Sequence, residues 1–416
     1  MEFSLKYAQS MDQQDPLRSF RNRFYFPKGK TGQDKLYFSG NSLGLQPKQT
    51  RDYVMQDLND WAEMGSKGHF HANTPWAFYQ RRAKKGFAAI VGAKESEVVA
   101  MNSLTVNLHL MMVSFYRPTK ERYKILMLKN AFPSDQYMFK SQVRFHGYDE
   151  SALIQIGPKA SEGTLDPKEL YDTIEKHGKS ISLILLEGVS YLTGQSFDLK
   201  KITELGHKHG CIVGFDLAHA VGNVEMKLHD WNVDFATWCN YKYLNSGPGV
   251  VGGCFVHEQF SKKTDLPRFE GWWGHDESRR FLMEPDFVPM EGVDAWQLSN
   301  VPVLSAAALQ ASLDLFLEAG MPALRKKSLL LTGYLEYLLK EHCKHEVSII
   351  TPSDPNERGC QLSTAFKTDG KKVYEKLIEA DMVCDWREPN VIRVAPAPMY
   401  NSFEDVYRFI ERVNQV

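Results

Sequence analysis

Lys242 stands between two tyrosines in "FATWCNYKYLNSGPG", after an apolar run and just before a turn rich in Gly and Pro. Burying an unpaired ammonium is costly, so a lysine in such a place either bends its stem to carry the charge to water or is chemically employed. The chain holds 50 Lys plus Arg, most of them necessarily solvated, so only partners elsewhere can single this one out. "CIVGFDLAHAVG" supplies candidates: it ends an apolar run with Asp216 and adds His219 three residues on. Ligands of open α/β sheets sit at the carboxyl ends of the strands, and adjacent strand ends would bring Asp216 and Lys242 to one pocket. Two readings stay open: a plain salt bridge, or pyridoxal phosphate chemistry. In the second, the lysine forms a Schiff base and the aspartate keeps the pyridine nitrogen protonated, which makes the ring an electron sink.

A phosphate needs donors. "AMNSLTVNLHLMM" offers a strand end followed by a helix, whose first amides and Thr105 hydroxyl suit an anion. Ordinary capping by Asn102 or Ser103, with Leu104, Leu108 and Met111 as core, accounts for the same residues, and both readings hold together. "GPGVVG", residues 247–252, matches the dinucleotide pattern G-x-G-x-x-G. That motif requires strand, glycine turn and then helix, whereas "VVGGCFVHE" reads as strand, so the segment is taken as a turn and NAD binding is rejected.

The elements that must position these residues are legible from about residue 95 to 260. Short β-rich runs ("KILML", "ALIQI", "ISLILLEG", "CIVGFDLAH", "DFATWCN", "VVGGCFVHE") alternate there with helical segments such as "DPKELYDTIEKHG" and "DLKKITELGHKHG", which begin with Asp and end in Gly as capped helices do. Near-continuous apolar strands with intervening helices predict an α/β domain, a mostly parallel sheet with helices on both faces. Residues 301–342 read as two helices. The remainder alternates again through "EVSIITP", "CQLSTAFK", "KKVYEKLIEA" and "NVIRVAPAP", with a closing helix after Ser402, as a smaller α+β domain. The expected organisation is an N-terminal segment, 1–50, packing partly on the small domain, a large domain over 51–300 and the small C-terminal domain over 301–416.

A chain of 416 residues with 43% hydrophobic and 24% charged residues is of ordinary globular composition. Its 50 basic and 51 acidic side chains give a net charge of -1, so general attraction to nucleic acid or to an anionic membrane is not expected, and an acidic ligand must be held locally. Six cysteines stand far apart with no Cys-x-x-Cys pair, which disfavours a disulfide framework and a zinc cluster; no metal is expected, and a reducing cytoplasm fits. The N-terminus lacks a basic start and an apolar stretch, and "VPVLSAAALQASLDLFLEAG" carries Asp314 and Glu318 at helical spacing, so neither a leader nor a membrane span is read.

Taken together, "YFSGNSLGLQPK", "MNSLTVNLHLMM", "AFPSDQY", "GFDLAHAVGNVE", "WCNYKYLNSGPG", "GWWGH" and "IRVAPAPMYNSFEDVY" resemble the kynureninase family, fold-type I pyridoxal-phosphate enzymes related to class V aminotransferases. The motifs run in order from about residue 37 to 408. The resemblance implies hydrolytic cleavage between Cβ and Cγ of kynurenine or 3-hydroxykynurenine, giving alanine and anthranilate or 3-hydroxyanthranilate. It implies that Lys242 is the Schiff-base lysine, Asp216 the partner of the pyridine nitrogen and His219 a neighbour of the cofactor. Phe132 would stack on the ring, and Leu104, Thr105 and Asp135 would line the site. Tyr241 would bind the phosphate and deliver a proton. Trp272 and Asn300 resemble positions that reach the phosphate from a neighbouring subunit, which implies a homodimer with shared sites. One departure stands out: where vertebrate members carry serine, this chain has Glu187 in "LLEGVSYLTGQ", either hydrogen-bonding near the cofactor or lying on a solvated rim.

The substrate's α-carboxylate needs a cation, and Arg393 in "NVIRVAP" matches the family's carboxylate arginine; without the resemblance it reads as an exposed strand residue. The ring-recognition positions match His69, Ser299 and Asn300, a trio of the eukaryotic type that favours 3-hydroxykynurenine. His69 would hydrogen-bond the 3-hydroxyl, with His71 as a competing candidate. Arg279 and Arg280 in "SRRF" read as surface or interface ion-pairing residues, and "RKKS" at 325–328 as a solvated helix face. The rival readings are an aminotransferase, a cysteine desulfurase using Cys360 or Cys384 as nucleophile, and a non-catalytic protein of the same fold.

Overall fold

The computed structural model describes residues 1–159, 163–367 and 369–416. Its central sheet has strands β1 (Val98–Ala100), β2 (Lys124–Leu128), β3 (Leu153–Ile156), β4 (Ile181–Glu187), β5 (Ile212–Asp216), β6 (Phe235–Trp238) and β7 (Gly253–Val256). Across the sheet they run β1-β7-β6-β5-β4-β2-β3. β7 is antiparallel to β1 and β6, and the other pairings are parallel. Each residue of β4, β6 and β7 is buried, as continuous apolar runs require when helices cover both faces. Crossover helices Pro167–His177 and Leu199–Lys208 start where the Asp166 and Asp198 carboxylates accept the amides of Lys168 and Lys201, caps that contribute about 1 kcal/mol each. The glycines of 247–252 lead into β7 and not into a helix, so the dinucleotide geometry does not form.

Register decides what faces the pocket. Glu187, the last residue of β4, pairs with Asp216, the last of β5, and Asp216 pairs with Thr237 in β6. Directly paired residues of neighbouring strands share a face, so the two carboxylates emerge side by side at the carboxyl edge of the sheet.

A second sheet, β8 (Val347–Ile349), β9 (Leu362–Phe366), β10 (Asp385–Arg387) and β11 (Val391–Val394), is antiparallel in the order β8-β9-β11-β10. β10 is a short edge strand that the apolar pattern did not reveal. The core under this sheet joins Leu362, Ile392, Val406 and Ile410 with Ala8 and Phe38 from the N-terminal segment, and Leu36–Tyr37 pairs in parallel with Met382–Val383. Helix Val303–Ala319 packs into the core of the large sheet, and helix Met321–Glu341 crosses from that core at Leu324 to the second at Leu331. The apolar core therefore changes well past residue 300.

Two clusters of cations differ from their expected surface roles. Arg280 is fully buried, donating to the carbonyls of Trp273 (2.9 Å) and His275 (3.2 Å) with its guanidinium 4.5 Å from the Trp273 ring; only Arg279 makes the exposed pair, with Glu284. In "RKKS", Lys327 is buried on Asp15 at 2.7 Å, and Arg325 donates to the carbonyls of Pro355 and Arg358. Asp15, Pro355 and Arg358 come from distant segments, and the carbonyls around Arg280 from a turn five to seven residues before it; these partners make the burials tolerable. Among the described residues no single helix is long and apolar enough to cross a membrane.

Candidate active site

Lys242 lies on the loop after β6, half buried, with Nζ 2.9 Å from Nε2 of His219 and 5.9 and 6.0 Å from the ring centroids of Phe132 and Tyr241. Its hydrogen-bond partner is thus His219 and not Asp216. The loop is pinned from outside the sheet: the Gly44 amide donates to the Tyr241 carbonyl at 2.8 Å, and a Cβ on Gly44 would come within 2.4 Å of the Lys242 carbonyl oxygen. Only glycine lets the N-terminal segment lie this close.

A cavity of about 160 Å³ surrounds the amine, lined by Leu104, Thr105, Phe132, Glu187, Asp216, His219, Tyr241 and Lys242 from the sequence-based set. Ser103, read from sequence only as a helix cap, lines it too, as do Ser134, Val189, Tyr191 and Ala218, which no sequence pattern singles out. Asp135 is buried behind the cavity, hydrogen-bonded to Asp216. A larger space of about 950 Å³ lies between the N-terminal segment and the C-terminal helix, but the two least exposed of its cations are spent on structural pairs, Lys327 with Asp15 and Arg21 with Asp405, so size does not select the site.

The electrostatics of the cavity follow from burial. Desolvation lifts Asp135 well above the ordinary carboxylate range, repulsion from Asp216 and Glu187 adds to the lift, and the proton it keeps is the one it shares with Asp216. Asp216 is raised by burial and pulled back by Lys242 and the Asp135 hydrogen bond. Burial, with Asp216 beside it, pushes Glu187 up to about 8 against the pull of two backbone amides. His219 is held well below its usual value by burial and by the charges of Lys242, Arg393 and Arg387, so it is a neutral imidazole whose Nε2 accepts from Lys242. The tautomer then places a hydrogen on Nδ1, which is buried and has no partner among the described residues. Burial raises the Tyr241 phenol, and the Cys239 thiol beside it adds to the lift, so Tyr241 retains its proton.

These residues fit pyridoxal phosphate on three observations. A buried anion, Asp216, ends the central strand. The unpartnered Nδ1 of His219 and Oδ1 of Asp135 mark polar demand left open. At the other end, helix Leu104–Phe115 starts at Ser103 with no side-chain cap, and the Thr105 and Ser134 hydroxyls meet at 2.7 Å beside it, so first-turn amides and hydroxyls stand ready for a phosphate. Capping by Asn102 or Ser103 is not made.

Arg393 is fully buried. Its Nε and Nη2 bind Asp385 at 3.1 and 2.8 Å, and Nη1 donates to the Tyr191 carbonyl at 2.6 Å. Arg387 also reaches Asp385, at 3.2 Å. Asp385, Arg387 and Tyr191 escaped the sequence reading because the first two sit on the unrecognised edge strand and the third acts through its backbone. His69, Trp272, Ser299 and Asn300 are exposed and none lines the cavity of its own chain. His69 stands edge-on to Trp76 at 5.6 Å, and Trp272 donates to the Arg280 carbonyl at 3.0 Å. Glu187 is 5% exposed, which removes the solvated-rim reading. Cys360 and Cys384 are buried with thiols pushed up to about 12, the opposite of a nucleophilic thiolate.

The raised carboxyls make the cofactor-free protein pH-sensitive. A group with an ordinary value of 4.5 and a folded value of about 8 is protonated in the folded state across a window where the unfolded chain has released the proton. Stability therefore falls as pH rises through that window. Thermal melting of the cofactor-free protein is expected to drop by a few degrees between about pH 6.5 and about pH 8, above the range in which the buried neutral His219 makes stability rise with pH, and Asp135→Asn to flatten the drop. A flat or rising wild-type profile would contradict the shared-proton cluster.

A model of the kynureninase C-terminal domain matches residues 324–413, and one of the DegT/DnrJ/EryC1/StrS aminotransferase family matches residues 79–229. A protein of Koribacter versatilis named kynureninase is 52% identical over 407 residues, covering 98% of this chain and 96% of its own. One of Myxococcus xanthus with the same name is 53% identical over 411 residues, covering 99% and 96%. Among solved structures, a cysteine desulfurase of Thermococcus onnurineus superposes with a TM-score of 0.75 at 18% identity, covering 92% of this chain and 94% of its own. The cystine C–S lyase C-DES does so with 0.77 at 18%, covering 91% and 97%, likenesses of fold alone.

Proposed function

This chain belongs to the kynureninase family of pyridoxal-phosphate enzymes, and on that premise we propose that it hydrolyses the Cβ–Cγ bond of its substrate in the cavity around Lys242, favouring 3-hydroxykynurenine over kynurenine. The observation that carries the assignment is the convergence of Lys242, Asp216, His219 and Phe132 with an uncapped helix start on one cavity.

Bound pyridoxal phosphate supplies an electron sink for bonds around the substrate's Cα. Asp216 would hold the pyridine N–H, Phe132 would cover the ring, and the first turn of helix Leu104–Phe115 with Thr105 and Ser134 would hold the phosphate, helped by Tyr241. Lys242 would carry the cofactor and, as a free amine, move protons at Cα. His219, kept neutral, accepts from Lys242 and steers that amine. Water supplies the oxygen that joins the acyl carbon, and Tyr241, whose proton is retained by burial, would deliver one to Cβ of the departing alanine. Arg393 would take the α-carboxylate.

His69, Trp272, Ser299 and Asn300 would complete the cavity of a second copy: Trp272 and Asn300 at the phosphate, His69, Ser299 and Asn300 at the aryl ring. The exposed aromatic group of Phe70, Trp272 and Phe281, with ring centroids 5.8 and 5.5 Å apart through Phe281, supports a homodimer through this face. The six free cysteines suit a cytoplasmic setting.

Mixing Lys242→Ala with His69→Ala subunits, assayed on limiting 3-hydroxykynurenine where loss of the His69 contact is felt, tests the shared site. Hybrid dimers then carry one intact site, and about a quarter of wild-type activity is expected to return; no recovery would reject sharing. The kcat/KM ratio of 3-hydroxykynurenine to kynurenine should exceed one and collapse in His69→Ala. A ratio below one would reject the ring preference and leave the cleavage reaction standing.

A further inference from the structure

We infer that Glu187 is a positioning residue that ties the aromatic wall of the cofactor cavity to Arg393. The inference rests on the reading of this cavity as the cofactor site. A carboxylate beside Asp216 and Asp135 is an expensive core residue, and a small polar or apolar side chain would fill the strand end at lower cost. Its geometry explains its presence. Oε1 accepts the Phe132 amide at 2.8 Å and Oε2 accepts the Tyr191 amide at 3.3 Å. Those amides belong to different segments: Phe132 is the N-cap of helix Pro133–Phe145, and Tyr191 lies in the loop after β4. The two rings meet edge-on, 5.3 Å apart at 86°. The Tyr191 carbonyl in turn accepts from Arg393 at 2.6 Å and from Gln361 at 3.2 Å. One side chain thus fixes the backbone of both aromatic residues, and through Tyr191 it fixes the carbonyl that orients the guanidinium.

A carboxyl group offers an acceptor on each of its two oxygens to the two peptide N–H groups, and it keeps both when protonated because the hydroxyl oxygen still accepts. Glutamine keeps the size but turns one oxygen into a donor facing a donor, and serine has a single, shorter oxygen. The test compares wild type with Glu187→Gln by amide hydrogen exchange in cofactor-free protein, by pyridoxal phosphate titration, and by steady-state kinetics on kynurenine. In the variant, the Phe132 or Tyr191 amide is expected to exchange at least about tenfold faster, the Kd for pyridoxal phosphate to rise about tenfold, and KM to rise about tenfold with kcat changed less. Should the glutamine variant not fold, Glu187→Asp, whose shorter arm reaches at most one amide, is read by the same measurements. Amide exchange, Kd and KM all within twofold of wild type would overturn the inference, and so would a loss of melting temperature with Kd and KM unchanged. Absence of kynurenine cleavage by the wild type would instead count against the proposed function, with the exchange and titration results still judging Glu187.

Discussion

Lys242→Ala protein is expected to fold, to take up pyridoxal phosphate only reversibly, and to cleave kynurenine at least about 10³-fold more slowly than wild type. The structure gives reasons for each part. The ammonium is half buried and its hydrogen bond goes to His219, so removing it costs little stability. Asp216, Phe132 and the Thr105–Ser134 pair remain to hold the cofactor by contacts that involve no lysine. What disappears is the only amine lining the cavity among the described residues, and with it both the covalent attachment and the group that moves protons at Cα. His219 is no substitute, because burial opposes its taking a proton and an imidazole offers no primary amine for attachment. Alanine release read against cofactor absorbance checks the result, and a variant with full turnover would remove Lys242 from the mechanism.

Arg393→Lys is expected to raise KM for kynurenine about 10²-fold with a smaller change in kcat, which corresponds to about 2.7 kcal/mol of lost ground-state binding. A guanidinium has five N–H donors. Asp385 and the Tyr191 carbonyl engage three of them, leaving one on Nη1 and one on Nη2 for a carboxylate. An ammonium cannot hold Asp385, a carbonyl and a substrate carboxylate in one plane. Folding should tolerate the change, since Arg387 still pairs with Asp385 at 3.2 Å. The discriminating measurement is binding of an amino acid against its carboxamide: wild type should prefer the acid strongly and the variant weakly. An unchanged preference would move the carboxylate site elsewhere, with Arg387 the next candidate.

The parts of this site that sequence revealed are those that end apolar strands. Asp216 closes the run of β5 and Lys242 interrupts the loop after β6, so alternating strands locate both at one sheet edge, whereas Glu187, which closes β4, enters only through family resemblance and with a solvated rim as the other reading. Residues that act through the backbone left no trace: Tyr191 holds Arg393 by its carbonyl, and Gly44 matters because nothing projects from it. Buried cations misled the reading for a related reason. Arg280 and Lys327 sit in charged stretches that look solvated; the fold brings Asp15 to Lys327, and a local turn whose geometry the residue types do not announce folds the Trp273 carbonyl onto Arg280. Asp385 and Arg387 were missed with their edge strand, three residues long and too short to show periodicity. His69, Trp272, Ser299 and Asn300 came from family resemblance alone, and their exposure within one chain is what a site shared between copies would require.

The most direct test of the central claim is product analysis. Purified protein supplied with pyridoxal phosphate is incubated with kynurenine, and alanine and anthranilate are quantified together. Alanine and anthranilate formed in equal amounts, and only with the cofactor present, is the predicted result. No alanine, or release of sulfide from cysteine in its place, would contradict the account.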